Sequence, residues 1–87
     1  MQRLDTQTIK PGFRFKNNSR RLTVVLCDGT DKRNIALLVR ENDAYPYITV
    51  RDLSETGNGG YDWAWGHYFS DFDEALEDYR KRLSELQ

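Results

Sequence analysis

The stretch YDWAWGHYFSDFDEALEDYRKRLSEL, residues 61–86, changes its hydrophobic period partway along. In its first part bulky rings alternate with small or polar residues. An extended chain would set Tyr61, Trp63 and Trp65 on one face and Asp62, Ala64 and Gly66 on the other. Gly66 marks a bulge or bend, after which Tyr68 and Phe69 lead onward. From Phe72 the apolar positions are Phe72, Ala75, Leu76, Tyr79, Leu83 and Leu86, a spacing that keeps them on one face of a helix. Ser70 or Asp71 can cap that helix, and Asp71 with Glu74 has the spacing of a capping box. Acids at Asp71, Asp73 and Glu74, with Arg80, Lys81 and Arg82 further on, suit the helix dipole. Glu77–Lys81 and Asp78–Arg82 add i,i+4 pairs. The stretch therefore predicts a strand running into an amphipathic helix.

Upstream, turn-rich clusters at residues 17–19, 28–31, 41–43 and 54–60 separate four further runs with strand character. These are GFRFK (12–16), RLTVVLC (21–27), NIALLVR (34–40) and YITVRDL (47–53). Pro46 sits ahead of the last of them, where its missing N–H does least harm. The connections have hairpin length, so the expected fold is α+β: an antiparallel meander of four to five strands with one C-terminal helix packed on one face. At 87 residues the chain makes a single domain. The runs at 21–27 and 34–40 are apolar on both faces, and one helix covers only one face. The second face must be covered by the N-terminal segment, by the sheet curling toward a barrel, or by a partner chain. The helix side is where Trp63 and Trp65 are expected, beneath Phe72, Leu76 and Tyr79.

Composition narrows the functions. With 38% hydrophobic and 31% charged residues the chain has the balance of a folded soluble domain. A lone cysteine, Cys27, allows no internal disulfide and suits a reducing compartment, and no stretch reaches the length of a membrane span. A cytoplasmic location without a membrane partner is expected. One histidine and one cysteine cannot supply a structural zinc site, and no cofactor motif is present. A Cys27–His67 nucleophilic pair has no supporting motif, and the loop Gly57-Asn58-Gly59-Gly60 leads into a strand rather than a phosphate-binding helix. Catalysis is not expected.

Two binding readings remain. A protein-interaction surface, for another protein or for a second copy of the chain, would use Tyr61, Trp63, Trp65 and His67 with the acids Asp71, Asp73 and Glu74. Together with Glu77 and Asp78, these acids could imitate phosphates toward a basic partner, although a charged helix face is ordinarily just solvated. The alternative is nucleic acid. Residues 1–40 carry nine Lys/Arg against three Asp/Glu, and residues 41–87 four against eleven. Arg14, Lys16, Arg20, Arg21, Lys32 and Arg33 could neutralise phosphates, with Phe13 and Phe15 as stacking rings. Attraction between two oppositely charged halves of one fold is the simpler account of the asymmetry.

The segment YDWAWGHYFSDFDEALEDYRKR, with its GHYF strand end followed by Ala75, Asp78, Tyr79 and Arg82, resembles a pattern in short proteins of bacteria and their mobile elements. The resemblance covers about a third of the chain and brings no catalytic residues. It implies a small phage or plasmid protein that binds a host protein, with inhibitors of defence nucleases as one such class.

Overall fold

The computed structural model describes residues 8–17, 19–31, 33–57 and 59–86. Five strands, β1 (Arg14–Asn17), β2 (Arg20–Gly29), β3 (Asn34–Arg40), β4 (Tyr47–Glu55) and β5 (Tyr61–Phe69), precede one helix, α1 (Phe72–Leu86). The strands form one sheet in chain order, every neighbour antiparallel, as short hairpin connections require. This is the α+β meander that the alternating runs predict. Each hairpin bends where its residues allow: Gly29 has φ +114°, and a Cβ there would lie 2.3 Å from the Arg33 carbonyl oxygen.

Three irregularities shape the sheet. In β2 the register steps between Val24 and Leu26, which makes Val25 an extra residue. Strict alternation would place Leu22, Val24 and Leu26 together. Instead Cys27 joins Leu22 and Val24 on the inner face, while Leu26 turns to the helix. Between β4 and β5 the register steps twice. One bulge sits on β4 at Asp52 (φ 53°) and the other on β5 at Trp65 (φ 50°), both left-handed. The extra residue on one strand offsets that on the other, so pairing resumes in its original register.

The bulges curl the sheet into a half-barrel with two cores. The inner core gathers Leu22, Val24, Leu38, Ile48 and Val50, all at most 1% exposed. Its open side is closed by the two edge strands: Phe13 and Phe15 stack at 5.8 Å, Tyr61 meets both, and Trp63 lies edge-on to Phe15 at 6.4 Å. The Asn17 amide donates to the Tyr61 carbonyl across the same gap. Ile9 adds a plug from the N-terminal side, tethered by the Asp31 carboxylate, which accepts from the Thr8 and Ile9 amides. Two of the three candidate covers, the N-terminal segment and the curling of the sheet, thus act together.

The outer core lies under α1, where Ala75 and Tyr79 pack on Ile35 and Leu37. The Tyr79 hydroxyl donates to Asp28 at 2.7 Å and ties the helix to the end of β2. Asp71 caps the helix, its carboxylate accepting the Glu74 amide at 3.0 Å. The helix runs on to Leu86, so its last turn holds no basic residue and Arg80, Lys81 and Arg82 stand one turn earlier than the dipole reading places them.

Candidate functional site

The tryptophans do not lie where alternation puts them. Trp63 packs on the inner core, on the side of the sheet away from α1. Trp65 is 72% exposed. The cause is the β5 bulge: its left-handed backbone at Trp65 breaks the alternation, sends His67 and Phe69 to the helix face, and swings the indole outward. Neither ring sits under Phe72, Leu76 and Tyr79. Gly66 follows as the second bulge residue, and a Cβ there would come within 2.9 Å of the Trp63 indole nitrogen.

Where the sheet turns away from α1 a cleft of about 250 Å³ opens, lined by Ile35, Arg51, Trp65, His67, Asp78, Lys81, Arg82 and Glu85. Its polar wall is a connected network centred on one carboxylate oxygen. Thr49 Oγ1 donates to Asp78 Oδ2 at 2.5 Å, His67 Nδ1 lies 3.0 Å from the same oxygen, and Arg82 Nε lies 3.5 Å from it. Arg82 Nη2 stands 2.8 Å from His67 Nε2. A guanidinium can only donate, so Nε2 is the acceptor and Nδ1 carries the proton given to Asp78. His67 is thereby held as the neutral Nδ1–H tautomer with both nitrogens engaged. Burial alone would push the Asp78 carboxyl up, but the hydrogen bonds from Thr49 and His67 and the charge of Arg82 outweigh it and hold the group below the usual range. Burial also pulls the Arg82 guanidinium down, against the opposing pull of Asp78. The Arg82 side chain is only 8% exposed, and its Nη1 is buried with no acceptor.

The other expected interaction residues fall elsewhere. Tyr61 and Trp63 close the inner core. Asp71 is occupied as the cap; Asp73 and Glu74 are exposed at the helix start, about one turn before Asp78, and do not line Trp65's cleft. Of the seven, only Trp65 and His67 meet at one site, and the cleft adds Arg51, Lys81 and Arg82, which sequence reasoning did not connect to them. Cys27 is no partner for His67. It faces the inner core, and burial with the nearby Asp28 and Asp31 charges pushes its thiol up to about 11. Among the described residues no group of three or more His, Cys, Asp or Glu could hold a metal ion.

The basic candidates also separate. Arg20 is committed to the turn after β3, donating to the Asn42 carbonyl and the Asp43 carboxylate. Arg14, Lys16 and Arg21 share the outer face of the β1–β2 hairpin, with Lys16 directly opposite Arg21. Arg33 is in the turn at the far end of β2, and Lys32 lies outside the described residues. Phe13 and Phe15 point inward, so no rings stand among these cations. No helix is long and apolar enough to cross a membrane. No protein-family model, curated protein or solved structure matches the chain.

Proposed function

We propose that the protein is a small, non-enzymatic interaction module whose contact surface is the Trp65 side of β5 with the adjoining face of α1. The observation that carries this reading is Trp65 itself. A bulky residue in left-handed backbone costs on the order of 1 kcal/mol, and exposing an indole forgoes its burial. The fold accepts both at one position, 72% exposed, beside a cleft. Tryptophan is the residue type most often found as an interface anchor. A non-enzymatic role accords with His67, whose two nitrogens are both engaged, and with the buried, protonated thiol of Cys27.

The test is affinity capture from a bacterial lysate with the tagged protein and its Trp65→Ala variant, each with and without nuclease. A bacterial lysate is the choice that the resemblance of residues 61–82 to proteins of bacteria and their mobile elements suggests. A nuclease-resistant partner that the variant loses is the expected result. Retention of that partner by Trp65→Ala would move the contact surface elsewhere. A second copy of the chain as partner predicts a mass in light scattering of twice 10.3 kDa.

A nucleic-acid reading keeps one specific observation. Lys16 faces Arg21 across the hairpin, with Arg14 on the same side, although like charges directly opposite one another destabilise a sheet. α1 packs on β3, β4 and β5 and leaves this face uncovered. On this reading oligonucleotide affinity falls steeply with salt and is lost in Lys16→Ala/Arg21→Ala.

A further inference from the structure

On the outer side of the sheet, α1 covers β3, β4 and β5 and leaves the β1–β2 hairpin bare. Arg14, Lys16 and Arg21 stand exposed on that bare face, and none of them has an ion pair among the described residues. Glu41, whose amide donates to the Arg21 carbonyl, forms no ion pair either. Register carries this face across the sheet: Arg14 lies opposite Thr23, Thr23 opposite Val39, and Val39 opposite Tyr47, on which Phe72 packs at 5.4 Å. The bare hairpin is therefore level with the start of α1. The first two turns of that helix carry the opposite charge. Asp73, Glu74 and Glu77 are exposed and likewise unpaired among the described residues, while Arg80 and Lys81 come a turn later. An apolar stripe separates the two charged patches. Phe72, Leu76, Tyr79 and Leu83 lie on the flank of α1 that reaches β2 through the Tyr79–Asp28 bond, whereas Asp78 and Arg82 take the opposite flank against His67. Phe72 is 37% exposed, Leu76 and Leu83 are half-buried, and Val39 on the sheet beside them belongs to neither core. Uncommitted cations, an apolar stripe and uncommitted carboxylates thus follow one another across one surface, which makes it complementary to a second copy of itself.

We infer that the bare β1–β2 face docks the first two turns of α1 from a second copy of the chain. Asp73, Glu74 and Glu77 of each copy lie on Arg14, Lys16 and Arg21 of the other, and the two apolar stripes meet between the helices. A two-fold axis running between the helices and parallel to them makes both contacts at once, since an isologous interface repeats each contact. α1 stands one helix diameter above the sheet, roughly 10 Å, and the second helix fills the space beside it. Lys16 and Arg21, directly opposite one another and costly in the isolated hairpin, are relieved when a carboxylate bridges them. Nucleic acid fits this face less well. It would cover the cations but leave the apolar stripe bare and lie beside three carboxylates, and no ring stands among the cations to stack a base. The Trp65 cleft is on the other flank of α1, so the dimer leaves it open to another protein and neither contact depends on the other.

Light scattering over a range of concentrations reads the mass. The parent chain should pass from 10.3 kDa to twice that value as concentration rises. The dimer should dissociate more readily at about 1 M salt, where charges are screened beyond about 3 Å. Lys16→Glu/Arg21→Glu makes the hairpin acidic, and Asp73→Lys/Glu77→Lys makes the helix start basic. Each variant alone should associate at least about tenfold more weakly than the parent, because like charges then face one another. An equimolar mixture of the two should dimerise again, since opposite charges meet at both contacts. All four positions are exposed, and recovery in the mixture shows that each variant is folded. Trp65→Ala should dimerise like the parent. A parent that stays at 10.3 kDa at every concentration overturns the inference, as does a mixture that stays monomeric. Dimers that survive in both charge variants but not in Trp65→Ala overturn it in favour of a contact at the Trp65 cleft. Binding of a duplex oligonucleotide by a parent chain that does not dimerise, lost in Lys16→Glu/Arg21→Glu, overturns it in favour of nucleic acid.

Discussion

At the scale of single residues, two tryptophans two positions apart have opposite roles because one bulge separates them. Trp63 is half-buried against Phe15, so Trp63→Ala opens the inner core and should cost about 2–4 kcal/mol, toward the lower end of aromatic truncations. Trp65 has little packing to lose but carries backbone strain. Its glycine variant should be more stable than its alanine variant by about 1 kcal/mol, since only alanine keeps the Cβ that clashes in left-handed backbone. Urea denaturation of the three variants measures this, and an alanine variant as stable as the glycine one would argue against that backbone conformation. Asn34 shows the reverse situation, a polar residue fully buried and fully used. Its amide nitrogen donates to the Thr30 and Leu53 carbonyls, and its oxygen accepts the Leu53 amide at 3.0 Å. It thereby bonds β4 where the Asp52 bulge interrupts regular pairing. Asn34→Ala strands those buried groups and should lower stability by about 2–4 kcal/mol in the same titration.

At the scale of elements, α1 is local in origin and can be tested locally. Asp71→Ala removes the cap and should cost about 1 kcal/mol, with Asp71→Asn or Asp71→Ser restoring most of it; failure of both to restore would mean that the cap bond contributes little. This locality explains what could be read in advance. Apolar period and capping spacing place α1 within a residue or two, and turn clusters place all five strands, because both signals lie within a few neighbouring positions. The β5 bulge at Trp65 is different. Gly66 hints at it, but which residue takes the left-handed conformation depends on β4 supplying its own extra residue opposite. Alternation therefore places Trp63 and Trp65 on one face, and the cleft between Trp65 and Arg82 stays hidden, since its walls come from β3, β4, β5 and α1. His67 stands out as the lone histidine, yet nothing local joins it to Asp78 or Arg82, 11 and 15 residues away.

For the whole molecule, the oppositely charged halves do attract, and among the described residues their ion pairs meet at one place, Asp43. Arg20 and Arg40 from the basic half both pair with Asp43, while Asp78 pairs within the acidic half and binds α1 to β4 and β5. Both carboxyls titrate below their ordinary value of 3.8 in the folded chain. For Asp43 the main cause is the Tyr45 amide; burial opposes it, and Arg20 and Arg40 reinforce it. A carboxyl depressed by folding contributes stability that is fully present above its unfolded value and is lost as pH falls through its folded value. The protein should therefore be most resistant to urea near neutrality and weaken below about pH 4. Asp78→Asn separates the two contributions. Asparagine keeps an acceptor for Thr49 and His67 but cannot titrate, so the variant should be less stable than the parent at pH 7 and decline more shallowly as pH drops. The remaining slope then belongs to Asp43, and Asp43→Asn should remove most of it. A decline in Asp78→Asn as steep as in the parent would mean that the helix-to-sheet network does not sense acid and that the Asp43 turn alone sets the acid limit of the fold.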